Sequence, residues 1–245
     1  MITCAAPAGF NLSFAVVLLF CYGLIMNQDM LALQQGARLL GVDLDEKQLT
    51  LFDVYQSELL KWNAKTNLIS EKTASEIITR HFLDSLSVVK FITNPDGRLV
   101  DIGCGAGFPG IPLKIVLPAV KLSLLESNRK KVSFLKHIIR TLNLEQTQTL
   151  HDRTENIVQT ETWRESFDMV ISRAAFKLSD LLPLGCYFLV PEGLLITLKG
   201  QDVSSELNTA LTVENTNNFY QIYQHDISLP LLGPPRKIII FQKIK

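Results

Sequence analysis

Residues 99–110 read LVDIGCGAGFPG, and this stretch constrains the fold more than any other. Leu99 to Ile102 is apolar and β-branched enough for a buried strand. Four glycines then fall within eight positions, where positive φ and close approach of the backbone are allowed. Ile111–Leu117 has helical length and carries Pro112 in its first turn, a favoured place for proline. Strand, glycine loop and helix start is the geometry that holds a nucleotide-like ligand at the carboxyl end of a parallel sheet.

The chain on either side agrees with that architecture. After a loop signal at Asn94-Pro95-Asp96-Gly97, strands and helices alternate. Strands are expected at Arg98–Ile102, Lys121–Glu126, Gln146–His151, Phe167–Ser172 and Gly193–Lys199. Helices are expected at Ile111–Leu117, Lys130–Leu142 and Ser179–Tyr187, with another over Asp202–Thr212. Phe219–Ser228 and Arg236–Lys243 read as two closing strands. Such alternation predicts a doubly covered α/β sheet. Upstream, Leu49, Phe52, Tyr55, Leu59 and Trp62 recur at spacings of three and four, and a further helix is expected over Ser75–Phe91. These helices are expected to pack onto the sheet, which divides the chain into a helical region at 30–97 and an α/β region at 98–245.

Composition excludes more than it assigns. The 24 basic and 24 acidic side chains of the 245-residue chain cancel, so no global charge draws it to nucleic acid or membrane. Its four cysteines show neither CxxC pairing nor framework spacing, which points away from zinc and disulfides and toward a reducing cytoplasm. Residues 1–29 are unusual: no Lys or Arg precedes Arg38, and Leu12–Met26 is mostly apolar but shorter than the ~20 residues of a membrane helix. An anchor, a buried helix, and upstream sequence translated from a wrong start all fit. The last is favoured, because the pattern becomes amphipathic from Met26 or Met30, and no stable membrane association is expected.

Charge narrows the ligand. The frame Asp101-Ile102-Gly103-Cys104-Gly105-Ala106-Gly107 matches the D/E-x-G-x-G-x-G loop of S-adenosylmethionine-dependent methyltransferases, whereas GAGFPG alone matches GxGxxG weakly. A pyrophosphate needs free amides and no carboxylate nearby, but S-adenosylmethionine brings a sulfonium and an ammonium. Asp101 is placed to help anchor that ammonium, directly or through water. Glu126 closes the next strand, where an acid accepts from ribose hydroxyls in either ligand.

Six ordered motifs then carry a specific resemblance: WNAKTNLIS at 62–70, RHFLDSL at 80–86, LVDIGCGAGFPGIPLKI at 99–115, LLES and KKVSFLK within 124–136, VISRAAF at 170–176 and TLKG at 197–200. From about Met30 to the C-terminus the chain resembles the glucose-inhibited division protein B family, bacterial methyltransferases of guanine N7 in small-subunit (16S) ribosomal RNA. Residues 1–29 have no counterpart in that pattern. Cys104, Phe108 and Glu126 depart slightly from it, the last two replacing a common Leu and Asp, without removing a needed group. The resemblance implies a class I methyltransferase fold, α/β and Rossmann-like, with a seven-stranded, mostly parallel sheet and an N-terminal helical region. It implies S-adenosylmethionine as cofactor, held at Gly103 and Phe108, with Thr154 and Glu155 flanking the adenine; Asp101, Gly105, Gly107, Glu126 and Arg173 complete the expected cofactor-binding set. Arg173 matches the family arginine on the reaction side of the cofactor. The expected partner is 16S ribosomal RNA or the small ribosomal subunit, and the expected state is a cytoplasmic monomer.

The segment after the fourth strand reads SRAAF, without the NPPY-type carbonyls that serve exocyclic amines. Cys186 falls in an apolar helix and reads as core rather than as a pyrimidine nucleophile. Guanine N7 has an exposed lone pair and needs alignment rather than a base. Arg173 is therefore read as orienting substrate, with an ion pair at the strand end as its structural alternative. His81 and Asp84 share a helical face and read equally well as a structural pair; His81 is not assigned as a base. Arg129, Lys130, Lys131, Lys136 and Arg140 fit a phosphate-binding face, although solvated helix charges are commoner. Trp62 reads as core, with Asn63 and Asn67 capping the turn beside it. Three rivals stay open: a methyltransferase acting on a small molecule or protein, an NAD-binding oxidoreductase, and a non-catalytic RNA-binding module.

Overall fold

The computed structural model describes residues 28–70, 76–173, 175–200, 202–212, 219–231 and 233–244, so the expectation for residues 1–29 lies almost wholly outside it. Helix α1 (Gln28–Leu39) and helix α2 (Glu46–Thr66) come first. Asp45 begins α2 with a full capping box: its carboxylate accepts from Gln48 N, and the Gln48 side chain accepts from Asp45 N. Asn67 ends it in the left-handed conformation, and Asn63 accepts from Ile69 N.

The expected helix over Ser75–Phe91 is not one regular helix. Ile78–Leu83 is π-helical, Asp84–Leu86 adds an α turn, and Val89–Phe91 is a 3-10 turn. The apolar period of the sequence carries no signal for this widening. A π turn inserts a residue and re-aims side chains, and it is frequent at functional sites. Here it accompanies the burial of His81 and Asp84 against two arginines described below.

The α/β part comprises β1 (Arg98–Ile102), α3 (Gly110–Val116), β2 (Lys121–Leu125), α4 (Arg129–Thr141), β3 (Thr147–Leu150), α5 (Thr154–Ile157), β4 (Phe167–Arg173), α6 (Leu178–Phe188), β5 (Leu189–Lys199), α7 (Ser204–Thr212), β6 (Phe219–Ile227) and β7 (Arg236–Lys243). The sheet order is β3-β2-β1-β4-β5-β7-β6. The first five strands are parallel, and β7 runs antiparallel to both β5 and β6. β5 begins four residues before the expected Gly193, after a register shift opposite Phe167–Met169.

Alternation along the strands divides the core into two layers. Leu99, Met169, Ile171, Ile196 and Leu198 face a layer shared with α1, α2, α3 and α4. Val100, Ile102, Val170 and Leu195 face the opposite layer, with Leu181, Leu182 and Phe188 of α6. Strand order reverses between β1 and β4. A doubly wound sheet opens a crevice at the carboxyl ends of such strands, and the glycine loop and Arg173 both lie there.

Candidate active site

The loop after β1 is held open by its own backbone. Gly103 N donates to Leu125 O, and Gly103, Gly105 and Gly107 adopt φ of 70°, 61° and 103°. A Cβ on Gly103 would stand 2.7 Å from Ala175 Cβ and 3.0 Å from the Phe176 ring, so only glycine passes there. Two clefts meet at this residue. The first, about 290 Å³, is lined by Gly103, Glu126, Thr154, Glu155 and Phe176 among others. The second, about 390 Å³, has Gly103, Gly105, Phe108, His81, Lys131 and Arg173 in its wall.

The sequence-derived set is thus split between two connected spaces. Gly103, Glu126, Thr154 and Glu155 share one cleft; Gly103, Gly105, Phe108 and Arg173 share the other. Gly107 and Asp101 line neither. Gly107 packs against Ile111 and Tyr55. Asp101 is fully buried behind the loop, where Oδ2 accepts from Gly110 N at 2.8 Å and Oδ1 has no partner among the described residues. Burial pushes its carboxyl up to about 7, against the pull of the Gly110 amide and Arg173. Glu126 uses both oxygens: Oε2 accepts from Gly105 N and Oε1 from Asn128 N.

Arg173 is held from four sides. Its Nη1 donates to Arg80 O at 2.8 Å and to Asp84 Oδ2 at 3.1 Å, its Nη2 lies 3.0 Å from His81 Nδ1, and its guanidinium sits 5.1 Å from the centre of the Phe108 ring. Asp84, with no exposed surface, also receives two hydrogen bonds from Arg236. His81 and Asp84 are therefore not bonded to each other; both serve Arg173. Burial and then the charges of Arg173, Arg236 and Arg80 lower His81 to about 3, so the ring is neutral and accepts through Nδ1. Its Nε2 is buried without a partner.

Three contributors escaped the sequence reading. Arg236 lies 152 residues from Asp84, and no spacing rule links them. Phe176 ends the VISRAAF motif, where nothing in the sequence marks a role for it, and it lines the first cleft. Tyr55 reads as helix core; it stacks between Phe82 and Phe108 and donates its hydroxyl to Ala106 O at 2.7 Å. Burial raises that phenol well above its usual range and keeps it a donor. Trp62 packs edge-on to Phe134, as its core reading implied, and Cys186 packs against the α6 layer.

A seven-stranded sheet of this order, with an acid–glycine loop at its switch point, defines a class I S-adenosylmethionine-dependent methyltransferase fold. TrmN from Thermus thermophilus superposes with TM-score 0.52 at 15% identity, covering 68% of this chain and 53% of that one. A SAM-dependent methyltransferase from Methanosarcina mazei gives 0.51 at 16%, covering 64% and 97%. The family follows from sequence. The model GidB, described as rRNA small subunit methyltransferase G, matches residues 48–228, and the chain belongs to that family. Ribosomal RNA small subunit methyltransferase G of Syntrophus aciditrophicus is 42% identical over 211 residues, 86% of this chain and 88% of the relative. The protein of the same name from Desulforamulus reducens is 35% identical over 223 residues, covering 90% and 92%.

Proposed function

We infer that this chain transfers a methyl group from S-adenosylmethionine to N7 of a guanine in 16S ribosomal RNA. The observation that carries the reading is the meeting of two clefts at Gly103, one rimmed by Glu126, Thr154 and Glu155 and the other bounded by Arg173. The residues present fit the cofactor. Bare backbone at Gly103 borders both spaces, Glu126 lines the first just after β2, and Asp101 Oδ1, without a partner among the described residues, lies buried behind the loop. Thr154 and Glu155 would flank the adenine, with Phe176 against it. A dinucleotide pyrophosphate fits less well, because the Gly105 amide it would use is already taken by Glu126.

When bound, the cofactor supplies a methyl group on a cationic sulfur, which the N7 lone pair can take without loss of a proton. The chain therefore needs no general base, and neutral His81, with Nδ1 turned to Arg173, is not placed as one. Its role is to hold the guanidinium. Arg173 retains one Nη2 hydrogen and Nε beyond the contacts above, enough to meet the O6 edge of a guanine or an adjoining phosphate. Phe108 supports that fork from below through its ring. Among the described residues no helix is long and apolar enough to cross a membrane. A ribosomal substrate fits a cytoplasmic protein, and we expect it to act as a monomer.

The test is mass-spectrometric mapping of modified guanines in ribosomal RNA from cells with and without the gene, joined to tritiated methyl transfer in vitro. One 7-methylguanine lost from the small subunit with the gene, and restored by the purified chain, is the expected result. A different methylated base would overturn it.

A further inference from the structure

The arginine of the second cleft is largely committed, but its lysine is not. Lys131, half-buried in the first turn of α4, lines the same wall as Arg173. Its Nζ lies 3.9 Å from where a Cβ on Gly105 would stand, so the ammonium hangs beside the glycine loop. Among the described residues the Lys131 side chain has no hydrogen bond or ion pair. Glu126, which precedes the same helix, spends its oxygens on the amides of Gly105 and Asn128. The helix start offers no competing anion site, because Asn128 Oδ1 already accepts from the amides of Lys130 and Lys131. Arg129 and Lys130 stand exposed just before it on the same helix turn.

We propose that Lys131 binds a backbone phosphate of the RNA strand entering the second cleft, and so positions the target nucleotide beside Arg173. The proposal rests on the methyl-transfer reading above. Lys131 and Arg173 put two cations in one wall, with exposed Arg129 and Lys130 on the same helix turn as Lys131, and that much positive charge fits a polyanion better than a single carboxylate. Lysine suits the task because a flexible ammonium can follow a phosphate, while the braced arginine fixes the base.

The experiment compares the full chain with Lys131→Gln and Lys131→Arg, by tritiated transfer to small-subunit particles across a salt series and by calorimetric titration with S-adenosylmethionine. Lys131→Gln should raise the KM for RNA at least about five-fold, and its log–log salt slope should flatten by about 0.7 to 0.9, the loss of one phosphate contact. Lys131→Arg should recover most of the KM and the salt slope, and cofactor affinity should stay within about two-fold. A cofactor affinity that falls while the salt slope is unchanged would overturn the proposal and give Lys131 to the cofactor carboxylate. Unchanged kinetics in Lys131→Gln, with an active wild type, would also sink it alone. A wild type unable to methylate ribosomal RNA would instead remove the reading beneath it.

Discussion

Asp101 stands out in the sequence by its place before the glycine loop, while its burial has no sequence signal. The sequence placed an acid before the glycine loop, and the structure puts it there without any surface on the clefts. Its carboxyl, raised from 3.8 to about 7 by burial, is protonated more readily in the folded chain than in the unfolded one. The stabilising contribution is therefore complete below about pH 4 and is lost as pH rises through about 7. Asp101→Asn keeps the shape and removes the titration, so its melting temperature should fall less between those pH values than that of the wild type. Calorimetric scans across the range check this, and parallel curves would refute it. A ligand cation near Oδ1 would favour the ionised form, so S-adenosylmethionine should bind the wild type more tightly as pH rises, and Asp101→Asn should lose the dependence. The place of Arg173 after β4 is legible in the sequence, but its supports are not, because they come from residues 80–84 and, through Asp84, from Arg236. Arg173→Ala should lower turnover at least ~10-fold, about 1.4 kcal/mol of transition-state stabilisation. His81→Ala should lower turnover less and leave the KM for cofactor nearly unchanged, a split measurable in steady-state assays.

Among the elements, the strands were easy to read and the helix preceding them was not. Runs such as LVDI and MVIS are short, apolar and bounded by turn residues, so burial on both faces leaves few alternatives. RHFLDSL is apolar at helical spacing too, yet it folds partly as a π turn. Its Asp84 meets Arg173 and Arg236, two contacts made across 89 and 152 residues. Asp84→Ala would leave two guanidinium groups facing a buried site with no counter-ion. A loss of about 3 to 5 kcal/mol is expected, the scale for breaking a buried pair from one side. Urea unfolding would measure it; a change below about 1 kcal/mol would mean that the two arginines find solvent or other acceptors. The second contact of this region, Tyr55 to the Ala106 carbonyl, is smaller. Tyr55→Phe keeps the stack and removes the hydrogen bond, for a cost of about 1 kcal/mol.

At the scale of the molecule, the division at residue 97 drawn from sequence separates two kinds of patterning that share one apolar layer. Phe52, Tyr55, Leu59, Phe82 and Leu83 are fully buried, and they belong to the same cluster as Ile111, Phe134, Leu135 and Ile138 of the α/β part. Sequence periodicity shows that the early helices have an apolar face, but not which surface covers it. Polar ties cross the boundary too: Gln48 donates to Ile115 O, and His137 meets Glu58 at 2.7 Å. The bracing of the site crosses it as well, since Arg173 hangs on Arg80, His81 and Asp84. A chain of residues 98–245 alone would expose the partners of at least those five side chains. At about 1.5 to 3 kcal/mol for each large apolar side chain, the lost burial matches or exceeds a typical stability of 5–15 kcal/mol. That fragment should therefore lack a cooperative thermal transition, lose near-ultraviolet circular dichroism and show no methyl transfer. Adding residues 28–97 back should restore all three together, because the layer that folds the sheet also braces its arginine. A fragment that melts cooperatively and lacks only transfer would mean that the helices brace the site without being needed to fold the sheet.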